Sequence, residues 1–406
     1  MDGFVNMAYT SVNDKLIDSY FTCFIVSLFV IGTAIYIFPM GSIQPGHYLA
    51  PLIVLIGSSF IRWHNINKVD KWLLALGLYT FFVNAYYYLY LNHSDFLSPI
   101  LYWGYNVALF IVLSHILMAS KKLRTIMPFI IFFCIILILA LWSVGYLRTD
   151  IQDSRFIAQF NDPNQMGNWL LCAFIILWLL SKKGFLNNRF VQLVTLIIIA
   201  LLISASGSRS ATIGLLPLTI GFIWLRFFRE KILLSKPVLI FILITAFASM
   251  FYILDSKVNT HALTPEQAIT LENAVPLERL LFTDWKAEVE KRGYFRPIDY
   301  PQYILFGAGH GNEARFNWPF EIHSSLLSVF FYYGIIGFFL LVGFLYHIFK
   351  RLSLPEAVIL SAPFVYGLFT YGLRTPIFWV LMAVVVAARP LILNPNTAIN
   401  KKIYRN

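Results

Sequence analysis

The sequence predicts an all-α membrane protein, a polytopic helical bundle of about 12 transmembrane helices with one large periplasmic loop. Three observations carry that expectation. Hydrophobic residues make up 59% of the 406 and charged residues only 13%, against about 25% charged in an ordinary soluble domain; mean hydropathy is +0.71. Apolar runs recur at close to the ~20 residues that a helix needs to cross a ~30 Å hydrocarbon layer. The alternation of a spanning strand is absent, which favours helices over the barrel, the other structure that satisfies its backbone within lipid.

In chain order, the runs predict spans over 20–38, 47–61, 72–91, 100–118, 126–147, 167–180, 190–205, 210–225, 237–254, 323–349, 356–372 and 375–388. The polar start through Asp18 lacks a basic n-region and a small-residue cleavage site, so the first run is expected to span and not to be a cleaved signal. The third run carries Tyr79, Phe81, Phe82, Tyr86, Tyr87, Tyr88 and Tyr90. Bundle filling and an interfacial aromatic belt explain these better than stacking on sugars. Cys23, Cys134 and Cys172 fall inside apolar runs and read as small buried hydrophobes, not as disulfides or metal ligands.

Charge orients the spans. Alternate short loops carry Arg62, Lys68 and Lys71; Lys121, Lys122 and Arg124; Lys182, Lys183 and Arg189; Arg226, Arg229, Lys231 and Lys236; and Lys350 with Arg351. With Lys15 and the C-terminal basic residues, that side holds most of the 31 Lys and Arg. The positive-inside rule then puts both termini in the cytoplasm. The formal charge of +11 thus reports topology, and its dispersal over short loops gives no support for nucleic-acid binding. The chain reads as one integral membrane domain, 1–406, with a polar stretch at 255–322 as the large outer loop between spans nine and ten.

The outer-face polar residues are the candidates for chemistry. Arg209 sits in SASGSRSATIGLL, where a Gly/Ser turn brings backbone close to a ligand and a guanidinium can grip a phosphate; snorkelling to the interface is the alternative. Arg279 lies in VPLERLLFTDWKAEVEKRGYF, an amphipathic pattern with Leu277, Leu280, Leu281 and Trp285 on one face. His323 follows PFEI at the mouth of an apolar helix; a histidine there can take a proton from a sugar hydroxyl or serve as a cap. His310, in the Gly-rich turn LFGAGHGN, is a secondary candidate, as is Arg374 in the turn YGLRTP. Asp162, Asn164 and Gln165 of the DPNQ stretch read either as sugar ligands or as a helix-capping turn. No metal-ligand spacing and no phosphate-binding loop is present, so no metal or other cofactor is expected. Mid-span Asp, Glu or Lys are lacking as well, which disfavours an ion-coupled carrier.

Four phrases together resemble the O-antigen ligase and polymerase superfamily of bacterial envelope glycan assembly. They are FNDPNQMGNWL, SGSRSATIGLL, LERLLFTDWKA with ILFGAGHGN, and EIHSSLLSVFFYYGIIGFFLL, covering roughly residues 160–345. The resemblance implies a metal-independent, inverting glycosyltransferase of the inner membrane acting on an undecaprenyl-diphosphate-linked glycan at the periplasmic face. It implies His323 as general base and Arg209 and Arg279 as the diphosphate-binding arginines; Arg374, His310, Asn164 and Gln165 stand beside them as further substrate-binding candidates from their own place in the sequence. Where many ligases have His-Asn, this chain has His323-Ser324. That departure and a compact outer loop favour a polymerase of oligosaccharide repeat units of O-antigen or a related surface polysaccharide, with a chain-length regulator as a candidate partner. A ligase using lipid A-core as acceptor is the alternative from the same chemistry, and a non-catalytic lipid-linked sugar carrier is the alternative from another class.

Overall fold

The structure, a computed structural model, describes residues 20–38, 44–59, 61, 66–146, 155–181, 184–227, 291–317, 320–350 and 352–393. Among them every regular element is a helix: α1 Tyr20–Gly32, α2 Pro45–Ser58, α3 Lys68–Leu91, α4 Leu97–Ala119, α5 Lys121–Ser143, α6 Pro163–Leu180, α7 Arg189–Ser206 and α8 Arg209–Phe227. After residue 290 follow the single turn α9 Arg296–Asp299, then α10 Ser325–Phe349, α11 Leu354–Leu360, α12 Ala362–Gly367 and α13 Pro376–Leu393. Six helical stretches, 68–91, 94–119, 121–143, 163–180, 189–206 and 325–349, are long and apolar enough to cross a membrane. The protein is therefore an all-α membrane protein. The predicted run at 237–254 and most of the loop 255–322, through residue 290, lie outside the described residues.

Local chemistry sets the helix ends. The hydropathy runs of α3 and α5 begin four to five residues late, because their first turns carry Lys68, Asp70, Lys121 and Lys122. Those turns are nevertheless helical. Asn67 and Asp70 form a capping box at α3, and the Ser120 side chain accepts from the backbone N–H of Leu123 at 3.0 Å at α5. The predicted run 356–372 is broken at Ser361 into α11 and α12. The predicted helix start at His323 moves to Ser325, since Ser324 is extended and caps α10.

α6 is the most enclosed long helix, with 83% of its apolar window buried; a helix apolar on all sides belongs inside. It packs on α5, α7, α8, α12 and α13, while α4 lies against α13 and α3 against α10. Trp103, Trp169 and Trp379 fill the centre, all fully buried. Around the outside, Phe81, Phe82, Phe129, Phe133, Leu216, Ile220 and Phe339 are exposed on helix surfaces. Apolar cover of that extent is anomalous in water and ordinary against lipid.

The connections sort to two ends. At one, cations meet the polar groups of helix termini: Arg124 donates to the carbonyls of Leu117 and Met118, Arg226 to Gln192, and His115 pairs with Asp70 at 3.1 Å. At the other, the loops bind one another. Tyr36 N–H donates to Gln159 O at 3.0 Å, Asn161 to Phe38 O at 2.9 Å, and the Thr370 hydroxyl to Ser210 at 2.9 Å. Every described candidate site residue lies at this second end.

α1 and α2 cross where Gly32 faces Gly46, and a Cβ on Gly46 would stand 2.8 Å from the Gly32 carbonyl carbon. Backbone cannot yield as a side chain can, so Gly46→Ala is expected to lower stability by about 1–3 kcal/mol. Gly104→Ala, with nothing within 4 Å, is expected to leave it unchanged. Thermal unfolding of the detergent-solubilised variants checks both.

Candidate active site

The site is built on a break in α10. Gly334 has φ 63° and ψ −172°, which interrupts the helix, and the segment 304–311 docks into the gap. Ile335 N–H donates to Ile304 O at 2.7 Å, while the carbonyls of Phe331 and Tyr332 accept from Ala308 N–H at 3.0 Å and Gly309 N–H at 2.8 Å. The approach demands glycine. A Cβ on Gly307 (φ 90°) would lie 2.3 Å from Tyr332 O, and one on Gly334 would lie 2.4 Å from Leu305 O. The hydroxyls of Tyr79 and Tyr87 on α3 donate to Phe306 O and Gly307 O, each at 3.0 Å. These two third-run tyrosines thus hold the turn, while Phe81, Phe82, Tyr86 and Tyr90 face outward.

The docked turn delivers His310 into the interior, 5% exposed. Its backbone N–H donates to Asn84 Oδ1 at 2.8 Å, and its ring stacks on Tyr332 with centroids 4.4 Å apart. Nδ1 is 3.1 Å from the Tyr102 hydroxyl, which makes a short hydrogen bond to the Tyr371 hydroxyl. Nε2 is 3.4 Å from Glu321 Oε2 and 3.9 Å from Glu313 Oε1. Burial pushes the His310 ring down to about 4; Glu313 opposes the shift, and Arg374, Arg296 and Arg315 reinforce it. His310 is therefore neutral at pH 7, with both ring nitrogens engaged within the fold.

The neighbouring stretch, residues 320–324, is held at every position. Arg296 donates to Phe320 O, and the Glu321 carboxylate receives Arg374. Ile322 N–H donates to the Tyr332 hydroxyl at 3.1 Å, and Ile322 O accepts from the Ser328 hydroxyl at 2.8 Å. His323 N–H donates to Arg292 O at 3.2 Å and its carbonyl accepts from the Tyr294 hydroxyl at 3.1 Å. The Ser324 side chain accepts from Leu327 N–H at 3.4 Å, capping α10. Tyr332 is the hub: it also accepts from Arg296 at 3.0 Å and donates to Glu313 at 2.8 Å. From this fixed backbone the His323 side chain projects to the exposed surface.

Arg209 is the first residue of α8, half-buried, between Ser208 and Ser210. Ser208 donates to Asn164 Oδ1 at 2.7 Å, and Ser210 bonds Thr370, whose carbonyl accepts from Ser325 at 3.1 Å. A chain of contacts therefore ties the start of α6, the start of α8 and the start of α10 to the 368–375 turn. Asp162 caps α6, with Pro163 at its first position, so capping accounts for the aspartate of the DPNQ stretch. Gln165 Oε1 is buried with no hydrogen-bond partner among the described residues. Arg374 is half-exposed on its turn, paired with Glu321. Arg279 lies outside the described residues. Among the described residues no group of three or more His, Cys, Asp or Glu is placed to hold a metal ion.

Sequence reasoning passed over Tyr102, Tyr332, Tyr371, Glu313, Glu321 and Arg296, which make up much of this end's polar network, and reads Arg292 as part of a solvated face, whereas its guanidinium donates to Phe369 O. One signal was there to use. In a chain with only 20 Asp and Glu, two glutamates flank the short stretch between His310 and His323.

Two outcomes are expected. Gly307→Ala and Gly334→Ala each place a Cβ against backbone at a positive φ, and both should destabilise the solubilised protein by about 1–3 kcal/mol or more. For His310, the folded pKa of about 4 lies below the ordinary unfolded value of about 6.5. The unfolded chain binds the extra proton between those values, so this contribution is complete above pH 6.5 and fades as pH falls toward 4. Its ceiling is roughly 3 kcal/mol. Stability of wild type and His310→Gln between pH 4 and 7 checks this: the variant's curve should be flatter by one proton's worth. In comparisons with known proteins, no family model and no curated protein sequence matches this chain.

Proposed function

We propose that the protein is a metal-independent inverting glycosyltransferase that polymerises undecaprenyl-diphosphate-linked oligosaccharide repeats at the periplasmic face of the bacterial inner membrane. The proposal keeps the twelve-span topology with both termini in the cytoplasm. The observation that carries it is an exposed histidine in a stretch, 320–324, held at each position through backbone or side chain, at the bundle end that also holds Arg209. Of the sequence phrases that resemble the O-antigen ligase and polymerase superfamily, FNDPNQMGNWL, SGSRSATIGLL, ILFGAGHGN and EIHSSLLSVFFYYGIIGFFLL contribute to this end, while LERLLFTDWKA lies outside the described residues.

In this reading His323 accepts the proton of an acceptor sugar hydroxyl as its oxygen attacks the anomeric carbon of the donor. The bond to the diphosphate breaks with inversion, and the undecaprenyl diphosphate departs with the bonding electron pair. Diphosphate is a good leaving group, so positive charge serves better than a general acid. Arg209 supplies a guanidinium at the N-terminus of α8, where the helix dipole also favours an anion. Arg279 is proposed as its partner by resemblance. Gln165 Oε1 offers an acceptor to a sugar hydroxyl, and Arg374, held by Glu321, a further phosphate contact.

The ligase reading shares every step and differs in acceptor. Ser324 acts as the N-cap of α10, a role that asparagine fills equally well, so the His-Ser pair does not by itself separate the two enzymes.

Complementation of a strain lacking the protein, at matched expression with surface glycan read on a gel, is the test. Wild type is expected to restore a length ladder. His323→Ala should reduce polymer by about 10²-fold or more, and Arg209→Ala by about 10²-fold, each leaving single-repeat glycan. Polymer accumulating on its carrier lipid without reaching core would identify a ligase. Wild-type ladders from both variants would overturn the catalytic reading in favour of a carrier.

A further inference from the structure

His310 is the most deeply engaged titratable group at this end, yet the proposed reaction does not use it. With the ring neutral, its polar contacts take one direction. Nε2 lies in close polar contact with Glu321 Oε2 at 3.4 Å, and an ionised carboxylate can only accept, so Nε2 carries the ring hydrogen. In the neutral ring Nδ1 is then an acceptor and takes the Tyr102 hydroxyl proton at 3.1 Å. The Tyr102 oxygen, having donated, accepts from Tyr371. All donors run one way, from Tyr371 through Tyr102 and His310 to Glu321. The other Glu321 oxygen receives Arg374, whose side chain is 46% exposed. One carboxylate therefore joins a buried neutral imidazole to a guanidinium at the surface, two residues before His323.

We propose that His310 and Glu321 are positioning residues: the relay Tyr371–Tyr102–His310 orients the Glu321 carboxylate, which sets the Arg374 guanidinium and the backbone that presents His323. The assignment rests on the reading of His323 as general base. The surroundings favour this relay over a charged imidazole. Tyr332 of α10 covers one ring face, Asn84 of α3 takes the backbone N–H, Tyr102 of α4 meets Nδ1, and the Tyr371 ring lies 5.6 Å from the imidazole, centroid to centroid. Arg296, Arg315 and Arg374 surround the ring against the two glutamates. A proton on Nδ1 would oppose the Tyr102 hydroxyl and reverse both tyrosines. Glu313 is already satisfied by Gly311 N–H, Arg296 and Tyr332, which leaves Glu321 as the carboxylate whose orientation depends on His310.

Two measurements test this on the full-length protein in nanodiscs. Histidine ¹⁵N NMR should show His310 as the neutral Nε2–H tautomer at pH 7, and Tyr102→Phe should shift it toward a tautomer mixture. A cationic or Nδ1–H ring at pH 7 overturns the relay. Transfer is assayed with the host's own undecaprenyl-diphosphate-linked repeat, extracted from a strain lacking the protein. Glu321→Gln is expected to lower turnover by about 10-fold while KM for this donor changes by no more than about 2-fold. His310→Gln, whose amide N–H replaces Nε2–H, should retain several-fold more turnover than His310→Leu. Wild-type turnover in both Glu321→Gln and His310→Leu overturns the positioning role, as does equal loss in the two His310 variants. His323→Ala, run alongside, separates this inference from the reading it rests on: full transfer by that variant removes the general base and leaves the histidine spectrum to decide the relay.

Discussion

At Gly334 the backbone turns left-handed in the middle of α10, and the carbonyls of Phe331 and Tyr332 lose their helical donors. In a membrane protein such groups need partners, because lipid offers none. The Gly-rich turn at 307–311 supplies them, threading backbone to backbone where any Cβ would collide. The rest of the outer end follows from this exchange. The turn carries His310 inward, Arg315 behind it donates to the carbonyls of Ala308 and Gly309, and its guanidinium lies over Tyr87, Phe96 and Phe316. A broken helix is thus repaired by a loop, and the repair positions a network.

That network is dense because it is dry. Buried polar groups are costly unless paired, and here a few side chains make several bonds each, although Arg315 Nε and Nη1 have no hydrogen-bond partner among the described residues. Tyr332 donates once and accepts twice, and Glu313 receives three donors. Such connectivity rigidifies the residues it touches. The contrast with His323 is informative: the backbone is fixed on both sides while the imidazole stays at the exposed surface. A fixed backbone beneath an exposed side chain is what a preorganised binding or catalytic group requires.

The two ends of the bundle use the same polar residue types differently. At one end, cations answer helix-terminal carbonyls and amides one pair at a time, as with Arg124 and Arg226. At the opposite end, contacts join elements far apart in sequence: Asn164 with Ser208, Ser210 with Thr370, Tyr102 with His310. Pairwise local contacts support helix ends; long-range linked contacts build a surface.

The amino-acid sequence by itself determined the class and the order of the elements. Hydrophobic runs near membrane length specify apolar helices wherever the chain lies, because that information is local and summed over about 20 residues. It also marked the candidate histidines, arginines and amides, and the described ones lie at one end of the bundle. Tertiary structure decided their surroundings. His310 and His323 both looked like histidines of the outer loop, yet one is buried against Tyr332 and the other is exposed. The break at Gly334 decided between them, since a glycine inside a strongly apolar run leaves the hydropathy pattern unchanged. Tyr102 and Tyr371 were silent for a related reason. Each reads locally as one more aromatic among 22 tyrosines, and only the packing of α4 against the 368–375 turn places their hydroxyls beside an imidazole.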